Sequence, residues 1–269
     1  MIDYKDFFDK IVNRAGEIPV RRRIVGQMVA LTAAFRQDDG TFALRFISGN
    51  EFDVPIFFND RTGQEEPVDV DGGLFVVGTW VIVNPDSRMV AVESKRPGVG
   101  SMLIERYLQM EGREFGYDDL SIDLNQASTD GFDTAVRELD TIKKVSVTVK
   151  QPNFDWSDGH NAIHDYAEQS GADSATVEMR APRGEGLSVS RGIVHDILGL
   201  ARQRISSLRN VIVTGSEAGE AGDKTINLNR FQRKTSVRVK RGATPMEELD
   251  ALAPAAEALT SESDDSDSS

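Results

Sequence analysis

Between residues 24 and 96, short apolar runs alternate with turn signals, a rhythm that predicts antiparallel β-structure. Residues 41 to 48 carry the clearest period of two, with Phe42, Leu44 and Phe46 on one side. Asp38-Asp39-Gly40 precedes this run and Gly49-Asn50 follows it, both as tight turns. Residues 52 to 58 and 74 to 83 extend the series, and Asn84-Pro85-Asp86-Ser87 turns the chain back into residues 89 to 92. Residues 24 to 36 are β-compatible, although their Ala-rich stretch blurs the alternation. The pattern predicts a curved meander or a small barrel-like sheet.

The flanks follow other periods. Residues 2 to 14 read as a helix, with Ile2, Phe7, Phe8, Ile11 and Val12 on its apolar face. After Pro97-Gly98, residues 99 to 114 read as a second helix bearing Val99, Met102, Leu103, Tyr107 and Met110 on one side. Strands at 120–126, 144–150, 174–180, 211–215 and 225–241 then alternate with helices at 130–139, 155–169 and 188–208. The expected class is α+β: an antiparallel β-rich N-terminal half, a mixed α/β C-terminal half and a disordered acidic tail. The expected divisions are 1–97, 98–241 and 242–269, the last holding a weak helix before the tail.

Charge is unevenly laid out. The chain has 31 bases and 44 acids, a net charge of −13. No base follows Arg241, and eight acids do; removing them leaves 36 acids against 31 bases, a body of only −5. A polyanion-facing body is therefore compatible with the acidic total, and the tail is expected to shield its basic rows in cis. The absence of Cys excludes disulfides, thiolate metal sites and a Cys nucleophile. The charged start does not resemble a signal peptide, and the longest nearly apolar run, residues 73 to 83, is too short to span a bilayer. A cytoplasmic protein without membrane partners is expected.

Three constellations carry candidate chemistry. Residues 230 to 241 hold six bases and no acid, and a strand there would place Lys234, Arg238 and Lys240 on one side. With Arg233, and with Arg191 and Arg202 on the helix at 188–208, these form the expected phosphate-contacting set. Glu93-Ser94-Lys95 has the acid-x-Lys spacing of metal-dependent nucleases, in which carboxylates hold Mg²⁺ and a Lys orients water. Asp86, seven residues earlier along an extended hairpin arm, is too far, at roughly 23 Å, to share that ion. His160 and His164, at i and i+4, are the candidate imidazole pair for a metal, with Asp155, Asp158, Asp165 and Glu168 nearby. No cofactor is expected, though a divalent metal suits the last two sets. Gly219 to Thr225 is not a phosphate loop, because Asp223 separates Gly222 from Lys224 and a strand follows.

The segment Val90-Ala91-Val92-Glu93-Ser94-Lys95-Arg96-Pro97-Gly98 before a helix, and Gln151-Pro152-Asn153-Phe154-Asp155 after a Val-rich strand, resemble uncharacterised bacterial proteins of antiviral-defence or mobile-element islands. The resemblance covers roughly residues 24 to 240. It implies a role in phage defence or a mobile element and assigns no catalytic residue. The leading expectation is a non-enzymatic binding protein for nucleic acid or an acidic partner. A Mg-dependent nuclease using Glu93 and Lys95, or an oligomeric structural module, are the alternatives.

Overall fold

The computed structural model describes residues 3–15, 20–49, 56–59, 64–67, 77–118, 120, 122, 124, 129, 131–150, 169–172, 174–202, 208–219 and 222–261. At 56–59, 64–67, 149–150, 202 and 209 only the backbone is described. The chain is α+β and divides into two compact units, Met1–Leu124 with Ser236–Ser269, and Asn125–Thr235. These divisions differ from the expected 1–97 and 98–241.

In the first unit, α1 (Tyr4–Ala15) is followed by β1 (Arg21–Ile24), β2 (Gln27–Arg36) and β3 (Phe42–Gly49). A separate hairpin, β4 (Ile56–Asn59) and β5 (Gln64–Pro67), precedes β6 (Val77–Asn84) and β7 (Met89–Val92). The main sheet is open, with order β1-β2-β3-β6-β7 and antiparallel neighbours. It is not the continuous meander or barrel expected from sequence: β3 pairs directly with β6, from Phe42↔Val83 to Ser48↔Val77, and bypasses the β4–β5 hairpin.

The sheet's two faces follow from the period of two. Phe42, Leu44, Phe46, Val81 and Val83 point to a core completed by Phe7, Phe8 and Ile11 of α1 and by α2 (Ser101–Glu114). The helix α2 joins this unit because Leu103, Ile104, Tyr107 and Leu108 enter that core. Its buried stripe is not quite the expected one, since Met102 is exposed. Leu120 and Ile122 also reach this core, and with Leu124 they carry no strand pairing; the other residues of the strand expected at 120–126 lie outside the described residues.

The opposite face carries Ala43, Trp80 and Ile82. It is covered by α5 (Pro245–Thr260), whose Leu249 and Ala256 complete a second, smaller core. The weak helix expected after residue 242 is thus present up to Thr260, as a docked layer of the fold. Thr244 caps it in a capping box with Glu247. At its far end Ser87 Oγ donates to the Thr260 carbonyl at 2.8 Å.

In the second unit, α3 (Gly131–Arg137) leads into β8 (Thr141–Lys150), β9 (Ser174–Arg180), α4 (Ile193–Arg202), β10 (Leu208–Ser216) and β11 (Lys224–Asn227). Its sheet has order β11-β10-β8-β9 and its pairs are antiparallel. Val145, Val147, Val211 and Val213 form a core with Phe132 and Val136 of α3 and Val194, Ile197 and Leu198 of α4. The helix expected over 188–208 is shorter at both ends. Gly192, at φ +70°, turns the chain just before α4 and accepts its bond from Asp196 N, and Leu208 already belongs to β10.

Candidate functional site

The basic segment starts where β11 stops. Asn227 Oδ1 accepts from Asn229 N at 2.9 Å and directs the chain into a 3₁₀ turn over Leu228–Arg230. That turn ends the ladder, so residues 233–240 are not the strand expected from sequence. The alternation nevertheless persists in exposure. Lys234, Arg238 and Lys240 are exposed, while Val237 and Val239 are half-buried.

This segment concentrates six exposed bases within twelve residues, with no acid among them. Arg230, Arg233, Lys234, Arg238, Lys240 and Arg241 form no ion pair among the described residues. Several bases of the second unit's sheet, by contrast, have acids beside them. Lys143 meets Asp223 at 2.5 Å, Lys144 meets Glu178 at 2.7 Å, and Lys224 pairs with Glu217. Asp223, in the loop before β11, and Lys224, the first residue of β11, therefore work as ion-pair partners ahead of a strand rather than a helix.

The helical part of the expected phosphate-contacting set is not assembled as expected. Arg191 is exposed but precedes α4, so it does not share a helical face with residues further on. Arg202 is the last residue of α4, and its side chain lies outside the description. Arg233 and Lys234 fall in the second unit, and Arg238 and Lys240 in the first.

Glu93 and Lys95 lie just beyond β7 in a four-residue ionic clamp. Glu93 N donates to the Trp80 carbonyl and Glu93 Oε2 accepts from Trp80 N, both at 2.9 Å, which extends the β6–β7 pairing. Lys95 Nζ lies 2.8 Å from Glu93 Oε1 and 2.6 Å from Glu248 Oε1 of α5. Glu248 Oε2 in turn lies 2.8 Å from Arg45 Nη1. The Arg45 guanidinium stands over the Trp80 ring at 5.3 Å, and Trp80 Nε1 donates to the Pro245 carbonyl at 3.2 Å. Burial raises the Glu248 carboxyl, but the bonds and charges of Lys95 and Arg45 together outweigh it and hold the group below its ordinary range.

The chemistry of this arrangement is that of a fastening. The point on which both carboxylates converge is occupied by the Lys95 ammonium. Sequence reasoning found Glu93 and Lys95 but not Arg45, Trp80 or Glu248, because Lys95 and Glu248 are 153 positions apart. The acids of α5 without any base were the available signal.

His160 and His164 lie outside the described residues, as do the acids expected beside them. Among the described residues no cluster of three or more His, Cys, Asp or Glu is arranged to hold a metal. A cleft of about 130 Å³ lies between Gln37, Asp39, Thr41, Ile82 and the α5 residues Ala253, Pro254 and Glu257. It is well below the ~300 Å³ at which small-molecule sites begin. No helix among the described residues is long and apolar enough to cross a membrane. No family model matches the chain, and no curated protein matches it.

Proposed function

We propose that the chain is a non-enzymatic binding protein that holds nucleic acid through residues 230–241. The observation that carries this reading is the run of six exposed bases with no ion-pair partner among the described residues. Unpaired surface cations keep their counterions until a polyanion displaces them, and that release is the main source of non-specific nucleic-acid affinity. The contacts are with phosphate, so binding is weakly dependent on sequence. A cytoplasmic location and a phage-defence or mobile-element setting belong to this proposal on sequence grounds alone.

A fluorescence-anisotropy titration with single- and double-stranded oligonucleotides, from 50 to 300 mM salt, tests it. Six phosphate contacts give a log–log salt slope of up to about −5 for duplex and about −4 for single strands. Charge reversal in Arg238→Glu/Lys240→Glu is expected to flatten that slope by about two units or more. Absence of binding at 50 mM salt rules the reading out. Mg²⁺-dependent cleavage of the oligonucleotide, lost in Glu93→Ala, replaces it with the nuclease alternative.

A further inference from the structure

Resting on that reading, we infer that Arg45 and Lys95 form a second phosphate-receiving site on the first unit, kept closed in the free protein by Glu248. One carboxylate spans both cations, with Oε1 on Lys95 at 2.6 Å and Oε2 on Arg45 at 2.8 Å. A phosphodiester presents two non-bridging oxygens to a pair of donors in the same way. Glu248 is thus an internal stand-in for the ligand's anion.

The site is organised before any ligand arrives. The Arg45 fork is held over Trp80, and Gly78 leaves room for it: a Cβ there would lie 2.5 Å from the guanidinium carbon. Among the described residues Glu248 is the acid that faces Arg45, while Lys95 also touches Glu93. The ions are not deeply buried, with side-chain exposures of 17% for Arg45 and Glu248 and 25% for Lys95. Exchange of one anion for another therefore needs side-chain movement rather than release of the helix.

The position continues the basic segment. Lys240 is followed by a turn closed by Ala243 N on its carbonyl, and Pro245 then sits on Trp80. Five residues of chain reach at most ~17 Å, so the end of the basic segment and the Arg45–Lys95 pair lie within one ligand's span. The helix α5 carries Glu247, Glu248, Asp250 and Glu257 and no base, so a polyanion advancing along residues 238–241 meets a carboxylate that has to yield.

The test compares Glu248→Gln with Glu247→Gln in the full chain, reading oligonucleotide affinity at 50 and 200 mM salt. Gln conserves shape in both, and at 247 it conserves the capping box. The inference expects Glu248→Gln to gain one to two phosphate contacts. The fall in affinity between the two salts then grows by about threefold to twelvefold over wild type. Adding Arg45→Gln and Lys95→Gln to that variant returns the wild-type slope, and Glu247→Gln alone leaves it unchanged. Circular dichroism melts confirm that each variant is folded. If wild type binds but Glu248→Gln keeps its slope, or if Glu247→Gln steepens it equally, the second site is overturned while nucleic-acid binding stands. If neither wild type nor Glu248→Gln binds at 50 mM salt, both readings are overturned.

Discussion

Lys95 Nζ donates to Glu248 Oε1 at 2.6 Å and so fastens the end of the β6–β7 hairpin to α5. Because Lys95 and Arg45 hold the Glu248 carboxyl below its ordinary 4.5 against the opposing effect of burial, folding favours its charged form. The stabilisation is present above pH 4.5 and is lost as pH falls through the lower folded value. Glu248→Gln is expected to lower stability by about 1–2 kcal/mol at pH 7. Urea unfolding of both proteins from pH 7 to pH 3 checks this. The gap should close below pH 4.5, and a gap independent of pH counts against the clamp.

A second ion group is more deeply set. The Glu111 side chain is 3% exposed and lies 2.9 Å from Arg22 Nη2 and 3.2 Å from Arg14 Nη1. Glu114 meets both arginines from the same helix. Truncating Glu111 leaves the Arg22 guanidinium, 16% exposed, facing a single acid. Glu111→Ala is expected to cost about 3 kcal/mol, because two arginines are then left sharing Glu114 alone, whereas Glu111→Met/Arg22→Met costs clearly less, because Arg14 and Glu114 remain as a balanced pair. Denaturant midpoints for the two proteins decide it; equal losses would show that packing, not charge, dominates.

Gly78 links the clamp to the sheet. A Cβ at this position meets the Arg45 guanidinium at 2.5 Å, and Arg45 cannot simply turn aside while Glu248 and Trp80 hold it. Gly78→Ala is therefore expected to destabilise wild type by about 1–3 kcal/mol and Glu248→Gln by noticeably less. A double-mutant cycle measures the coupling, which should exceed about 0.5 kcal/mol for groups in contact. Additive losses would mean that the guanidinium moves freely.

Local patterns were legible where one residue type sets one face. Phe42, Leu44 and Phe46 read as a buried row and are fully buried, and Phe7, Phe8 and Ile11 read as the inner stripe of α1 and are so. The Ala-rich β2 resisted reading for a physical reason. Its register with β3 shifts between Leu31 and Ala33, so Val29 and Leu31 face α1 and α2 before the bulge, and Ala34 takes that side after it. A single period of two cannot describe such a strand. The docking of α5 was illegible because few of its residues carry it: Leu249, Ala256 and Thr260 are its buried residues, and its ionic partners are remote in sequence. In the basic segment the charges were legible and the strand was not, since nothing in the row itself signals the 3₁₀ turn at Leu228–Arg230.

The β1–β2 turn gives the cheapest gain in stability. Ile24 pairs with Gln27, which leaves Val25 and Gly26 as a two-residue loop at φ +49° and +79°. Both positions are left-handed, the geometry that favours Asn-Gly over any β-branched residue. Val25 is 69% exposed, so its side chain recovers little through burial. Its left-handed backbone costs roughly 1–2 kcal/mol. Val25→Asn is expected to raise stability by about 1 kcal/mol, and Val25→Gly by less, because glycine also loosens the unfolded chain. Val25→Ile should leave it unchanged. Urea midpoints order the four proteins, and an Asn variant no more stable than wild type would mean that the hairpin closes without strain at Val25.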